Sequence, residues 1–269
     1  MIRVVITGVC GRMGQCITRC IAQQADMELV GAIQYPLHPQ IGSDAGIVAG
    51  IDAIGVAITG ELHDVLQNAD VVIEFSKPQV TLRYLQQVVN AGKAIVIGTT
   101  GFTEDQLASV QALASQIQCV MAPNMSLGVN VAIQALELIA KALGDDYNIE
   151  VIEAHHNHKT DAPSGTALRL AETVATVLER DLDEIGVYSR HGIVGARPKK
   201  QIGIHAVRGG DIAGDHTVLF ATEGEQLSIV HRAHSPEAFA KGAIRAARWV
   251  VNAPKGLHDV SEVLFQKHD

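Results

Sequence analysis

The strongest constraint on the fold of this chain lies in its first 24 residues. Residues 2–7 form a β-branched run that reads as a buried parallel strand. Gly8-Val9-Cys10-Gly11-Arg12-Met13-Gly14 follows at once, and apolar periodicity predicts a helix over about 12–24. Strand, glycine turn and helix in that order open a dinucleotide-binding βαβ unit. Gly8 permits the tight turn, while Gly11 and Gly14 let a pyrophosphate and the helix itself approach the sheet. The spacing is G-x-x-G-x-x-G rather than G-x-G-x-x-G, and a turn of this kind also occurs with a purely structural role.

The rest of the first half bears on that choice. Short apolar runs at 27–33, 71–75, 94–97 and 117–121 predict further strands, separated by helical patterns near 61–67, 78–90 and 104–116. Alternation of this type implies a parallel, doubly wound sheet. Three strand ends carry loop chemistry: Ser76-Lys77-Pro78, Gly98-Thr99-Thr100-Gly101 and Ala122-Pro123-Asn124-Met125. Ligands of open parallel sheets bind beyond the carboxyl ends of the strands, so these loops are natural contacts for a nucleotide. At the end of the second strand, where an acidic residue would select the ribose hydroxyls and an arginine a 2′-phosphate, the chain has Gln34-Tyr35 and neither charge.

After about residue 130 the pattern changes. A helix over 130–143 precedes a strand at 148–155, a polar loop, a helix over 164–180 and three strand-like runs near 201–208, 215–222 and 226–233; a final helix over 236–249 is expected to pack back on the first domain. Strands without helices between them point to an antiparallel or mixed sheet. The loop, Glu153-Ala154-His155-His156-Asn157-His158-Lys159-Thr160-Asp161-Ala162-Pro163-Ser164-Gly165-Thr166-Ala167, sets three histidines and a lysine against the start of a helix. Ser164 reads as the N-cap, and the first-turn N–H groups of Gly165 and Thr166 favour a carboxylate. Histidine and lysine donate protons or hold negative charge, which suits a small anionic substrate protonated during reaction. His155 and His156, adjacent at a strand end, point to opposite faces. A zinc site is disfavoured because the histidines crowd one another and only Asp161 stands near ligand spacing. Lys159, close to a helix N-terminus, is expected to feel a positive dipole that disfavours its charged form. Arg190 and Arg208 stand beside glycines and fit either carboxylate clamps or loop salt bridges.

Composition excludes several classes. At 269 residues, 47% hydrophobic and 19% charged, with no run of 18 apolar residues, the chain has enough apolar content for a large core without a membrane span. A net charge of -8 without a basic stripe disfavours a nucleic-acid partner. Cys10, Cys16, Cys20 and Cys119 form no C-x-x-C pair, and Cys16 and Cys20 read as packed small hydrophobes. The chain enters its first strand without a charged-then-apolar leader, so the expected compartment is the cytoplasm.

The run E-x-HH-x-H-K-x-DAPSGTA resembles the signature of the dihydrodipicolinate reductases. The resemblance extends to Gly11-Arg12-Met13-Gly14, Gly98-Thr99-Thr100-Gly101, Asn124-Met125-Ser126 and Val207-Arg208-Gly209-Gly210-Asp211, and so spans nearly the whole chain. It implies a Rossmann-like, doubly wound α/β domain at 1–126 and 237–269 and a smaller α+β domain with a mixed sheet at 127–236. It implies reduction of 4-hydroxy-tetrahydrodipicolinate with NADH or NADPH in lysine biosynthesis, by a homotetramer joined through the second domain's sheet. Carried over, it makes His155 the proton donor or acceptor, Lys159 a second donor, and His156, Gly165 and Thr166 substrate contacts. Gly8, Val9, Cys10, Gly11, Arg12, Met13, Gly98, Thr99, Thr100, Ala122, Pro123, Asn124 and Met125 would line the cofactor, with Gln34 and Tyr35 at its ribose. The family often has Glu-Arg in place of Gln34-Tyr35; with neither charge present, both NADH and NADPH are expected to serve. Cys10 stands where a glycine-type residue is common, and is expected to be tolerated because the phosphate needs only its backbone N–H.

Overall fold

The computed structural model describes residues 1–265 and divides them into two compact units, Met1–Leu127 with the chain from Pro236 onward, and Gly128–Ser235. The first unit contains strands β1 (Ile2–Thr7), β2 (Met27–Ile33), β3 (Ile58–Thr59), β4 (Val71–Glu74), β5 (Ala94–Ile97), β6 (Gln118–Met121) and, much later in the chain, β12 (Gly256–His258). They form one parallel sheet in the order β12-β6-β5-β4-β1-β2-β3. The order reverses direction at β1, the switch point at which such sheets bind their ligands.

The strand sequences alternate cleanly between two buried layers. Val4, Ile6, Val71, Ile73, Val96 and Val120 face helices α1 (Arg12–Ile21), α2 (Ala45–Ala49), α9 (Glu237–Val250) and α10 (Val260–Phe265). Val5, Val72, Ile95, Ile97 and Cys119 face α3 (His63–Leu66), α4 (Pro78–Ala91) and α5 (Glu104–Ala114). Burial on both faces is why these strands are almost purely apolar. α9 brings Ala240, Ala243, Ala247 and Trp249 into the first layer.

The second unit is built from α6 (Leu127–Leu143), a 3-10 turn at Gly144–Asp146, β7 (Asn148–His155), α7 (Gly165–Val177), α8 (Leu182–Ile185), β8 (Gly186–Val187), β9 (Ile202–Arg208), β10 (Gly214–Thr222) and β11 (Glu225–Ala233). Its five-stranded sheet runs β11-β10-β7-β9-β8, antiparallel on one side of β7 and parallel on the other. Ile149, Val151, Ile202, Ile204, Val218 and Phe220 pack on Leu136 and Ala140 of α6 and on Leu170, Ala171 and Val174 of α7. The opposite face carries Ile152, Val207 and Val230, which are 40%, 50% and 50% exposed. With its 3-10 turn, α6 is long and apolar enough to cross a membrane by length and composition; Leu136 and Ala140 are buried in the sheet core, while Val131 and Leu138 are exposed.

Element bounds differ from expectation where local signals are weak. α1 ends at Ile21, three residues short of the predicted 24, and the helix expected over 61–67 is a single turn at His63–Leu66. α7 ends at Val177 rather than 180. β3, β8 and β12, with α2, α8 and α10, were not anticipated; all have six residues or fewer, too short for a period to register.

Candidate active site

The first unit presents a shaped edge at the carboxyl ends of its strands. Gly8 sits at φ +70, and a Cβ there would lie 2.4 Å from the Phe75 carbonyl oxygen; at Gly14 it would lie 2.3 Å from that of Gly8. Both positions therefore exclude other residues, and the turn folds tightly against the start of α1. Gly11 is the N-cap of α1 and offers no side-chain cap, whereas α5 is capped by Thr103 and α7 by Ser164. The first-turn N–H groups of α1 thus lack a side-chain oxygen of the kind that caps α5 and α7, and a pyrophosphate supplies one. The residues present fit a dinucleotide on this ground.

Other residues expected to line a cofactor follow the ends of β5 and β6 along the same edge. Gly11, Arg12, Thr100 and Pro123 are exposed, and Gly8, Cys10, Met13, Gly98 and Asn124 are half-buried. Val9, Thr99, Ala122 and Met125 are buried, so a ligand at this edge meets their backbone and not their side chains. The Val9 N–H donates to the Ile33 carbonyl at 3.2 Å, bringing the end of β2 to the glycine turn, and burial holds the Cys10 thiol above its ordinary range. Tyr35 is 54% exposed and stacks edge-on with His38 at 5.3 Å between ring centres. Thr99 donates from Oγ1 to the fully buried Glu74 at 2.6 Å.

The second unit holds the histidine site. Along β7 the buried row is Ile149, Val151, Glu153 and His155, so the apolar face of the strand ends in two titratable side chains. Glu153 Oε2 lies 2.6 Å from His155 Nδ1. Arg208, at the end of β9 and paired in register with His155, forks onto both Glu153 oxygens at 2.8 Å each and also donates to the Asp161 carbonyl. The Ser164 N–H donates to Glu153 Oε1 at 3.0 Å, tying the start of α7 to the same carboxylate. Burial would raise the Glu153 carboxyl, but the Arg208 guanidinium, the His155 ring and the Ser164 N–H outweigh it and hold it below the usual carboxylate range. A charged Glu153 fixes Nδ1 of His155 as the protonated nitrogen, leaving Nε2 to exchange protons. A Cβ on Gly214, the neighbour of His155 on β10, would stand 3.0 Å from that Nε2.

A second histidine, His216 on β10, packs edge-on against His155 at 5.1 Å and makes a 3.0 Å hydrogen bond with Ser164 Oγ, which also accepts from the Ala167 N–H. Burial, and then the nearby His155, push its pKa down to about 4, so it is neutral at neutral pH. Lys159 donates to Asp161 Oδ1 at 2.8 Å, and this ion pair holds the Asp161 carboxyl down. His156 and His158 face each other at 6.3 Å, His156 half-buried and His158 exposed. Gly165 opens α7 with nothing within 4 Å of where a Cβ would be, so the helix N-terminus is open there.

The structure thus gathers His155, Lys159, Gly165 and Thr166 around one loop and helix start. Sequence reasoning did not assign Glu153, Asp161 or His216 a role; Glu153 was within its reach, since residues two apart on a strand share a face. Arg190 and Arg208 resolve as salt-bridged: Arg190 pairs with Glu150 at 2.8 Å, beside Arg197 and His205.

The sequence family described as dihydrodipicolinate reductase, N-terminus, matches residues 2–125, and dihydrodipicolinate reductase, C-terminus, matches residues 128–264. The chain is 44% identical over 264 residues to the 4-hydroxy-tetrahydrodipicolinate reductase of Syntrophus aciditrophicus, covering 98% of each. It is 48% identical over 268 residues to the enzyme of that name from Methylococcus capsulatus, covering 99% of each. Among solved structures it resembles a dipicolinate-bound dihydrodipicolinate reductase from Paenisporosarcina sp. TG-14, with a TM-score of 0.76 and 27% identity over 99% of this chain and 100% of that one. An amine dehydrogenase from Mycobacterium smegmatis shares the fold alone, at a TM-score of 0.61 and 15% identity over 96% of this chain and 95% of that one.

Proposed function

The chain belongs to the dihydrodipicolinate reductase family, and from that premise we propose that His155 moves the proton of its reaction, with Lys159 as a second donor. The reaction is the NAD(P)H-dependent reduction of 4-hydroxy-tetrahydrodipicolinate to tetrahydrodipicolinate with loss of water, a step of lysine formation through diaminopimelate. The observation that carries the residue assignment is the 2.6 Å contact of His155 Nδ1 with a carboxylate that Arg208 keeps charged.

The dihydronicotinamide, when bound, supplies the hydride that enters C4 of the ring once water has left. The residues that would hold the nucleotide are Gly8 to Met13 through their backbone, Gly98 to Thr100, Ala122 to Met125, and Gln34 and Tyr35 near the ribose. The enamine left after reduction takes a proton at the ring carbon between C4 and the imine carbon, which His155 Nε2 or Lys159 provides. Glu153 keeps the ring oriented through Nδ1 while the histidine is reprotonated at Nε2. The open N-terminus of α7 at Gly165 and Thr166 holds a ring carboxylate, with His156 beside it.

An assay coupled to dihydrodipicolinate synthase, with NADH and NADPH followed separately, tests this reading. His155→Ala and Lys159→Ala should each lower kcat by about two orders of magnitude, within the range typical of lost proton transfer. Nearly normal kcat in both variants would overturn the assignment. Both nucleotides should serve, with KM values within about tenfold of each other, because position 34 has no carboxylate to repel a 2′-phosphate and position 35 no arginine to bind one. The open sheet face with Ile152, Val207 and Val230 supports assembly into a homotetramer, and the reaction belongs to the cytoplasm, where its reduced nucleotide is made.

A further inference from the structure

Among the described residues, Glu74 is the one fully buried carboxylate that the mechanism above leaves without a task. It ends β4, next to the switch point of the parallel sheet, and its side chain meets hydroxyls from four directions. Thr7 Oγ1, at the end of β1, lies 3.4 Å from Oε1, and Ser76 Oγ donates to the same oxygen. Thr81 Oγ1 of α4 and Thr99 Oγ1 after β5 lie 2.7 and 2.6 Å from Oε2. Thr99 Oγ1 also accepts from the Ser76 N–H at 3.0 Å, so the loops after β4 and β5 are joined to each other as well as to the carboxylate. Among the described residues no cation contacts Glu74. Thr7, Thr81 and Thr99 are themselves at most 4% exposed, so their hydroxyls are spent on this cluster rather than offered to a ligand.

A buried carboxylate without a cation is costly, and an apolar residue would fill the same space at lower cost. What Glu74 does that an apolar residue cannot is collect hydroxyl donors from three different strand ends on two oxygens. We propose that Glu74 is a positioning residue for the nicotinamide nucleotide, fixing the ends of β1, β4 and β5 in the mutual placement that the nucleotide requires. This rests on the reading that the nucleotide lies on this edge. Burial raises the Glu74 carboxyl and the surrounding hydroxyls oppose the rise, which is consistent with their donating to it.

Direct titration of NADH and NADPH by fluorescence, alongside steady-state kinetics, tests the proposal. Glu74→Ala should raise the Kd of both nucleotides by about tenfold or more, on the scale of one to two hydrogen bonds, while the KM of the dicarboxylate substrate moves by less than about threefold. Glu74→Gln, which keeps the length but only one acceptor oxygen, should fall between. A carboxylate that merely stabilised the domain would lower the melting temperature and leave both Kd values unchanged, and that result in Glu74→Ala would overturn the proposal. If Glu74→Ala fails to fold, Thr99→Val decides: it removes one donor to the carboxylate and should weaken nucleotide binding by about threefold, while Thr99→Ser restores it. In a Glu74→Gln background Thr99→Val should add less than it does alone, because the two residues act as one unit. Full additivity would overturn the proposal. A wild-type protein that bound neither nucleotide would overturn the reading of the edge, and the inference with it.

Discussion

At the scale of single residues, the chemistry turns on which nitrogen of His155 carries a proton. Glu153 accepts from Nδ1 while Arg208 and the Ser164 N–H occupy its remaining lone pairs. Glu153→Gln breaks this in a specific way. If the amide turns its oxygen to His155, its NH2 group meets the guanidinium and the Ser164 N–H, donor against donor; if it turns its NH2 to His155, Nδ1 must accept and the tautomer inverts. We expect kcat to fall by about 10² to 10⁴, with a smaller change in substrate KM. An unchanged kcat would show that the tautomer is set by something else. The sequence announced His155 and Lys159 through their motif, yet the grip of Arg208 on Glu153, 55 residues apart, depends on how β9 pairs with β7, which no local pattern encodes.

At the scale of elements, α7 begins correctly because its cap is itself held. Ser164 caps the helix and is in turn bonded to His216, whose pKa is about 4 against 6.5 when unperturbed. The unfolded chain therefore binds more protons than the folded one between these values. The stabilisation from neutral His216 is complete above pH 6.5 and is lost as pH falls toward 4. At pH 5 the loss is about 2 kcal/mol. His216→Asn can still bond Ser164 but does not titrate, so its urea midpoint should drop less than that of the wild type between pH 7 and pH 5. Equal drops would show that His216 does not titrate with folding. The regular elements of both units were legible because buried strands and amphipathic helices impose periods of two and 3.6 on the sequence. Elements of two or three residues such as β3, β8 and β12 impose none, and exist because a neighbouring edge strand offers them a ladder.

At the scale of the whole molecule, the five-stranded sheet leaves one face exposed around Ile152, Val207 and Val230. Val230, Thr217, Ile152 and His205 form a row across four strands there, flanked by Val207. Covering such a face is a common reason for copies of a chain to associate. Ile152→Glu places a charge at the centre of that row. Light scattering should show the mass of a tetramer for the wild type and a smaller species for the variant; a wild-type monomer, or an unchanged variant mass, would count against assembly through this face. Exposure is a property of the finished sheet, and the sequence could show only that apolar and polar residues alternate along these strands.

The position of α9, α10 and β12 also bears on how the molecule is made. The parallel sheet is begun by residue 2, but one of its edge strands and much of one of its two helical layers come from residues 237–265, after the whole second unit has been specified. During synthesis the nascent first half therefore exposes the surface that Ala240, Ala243 and Trp249 later cover, and the edge of β6 stays unpaired until Gly256–His258 arrives. The second unit has no such debt to later sequence. Residues 128–235 thus leave the ribosome before the stretch that completes the first unit's sheet, and β1 to β6 wait on residues 237–265 for their missing layer and edge strand.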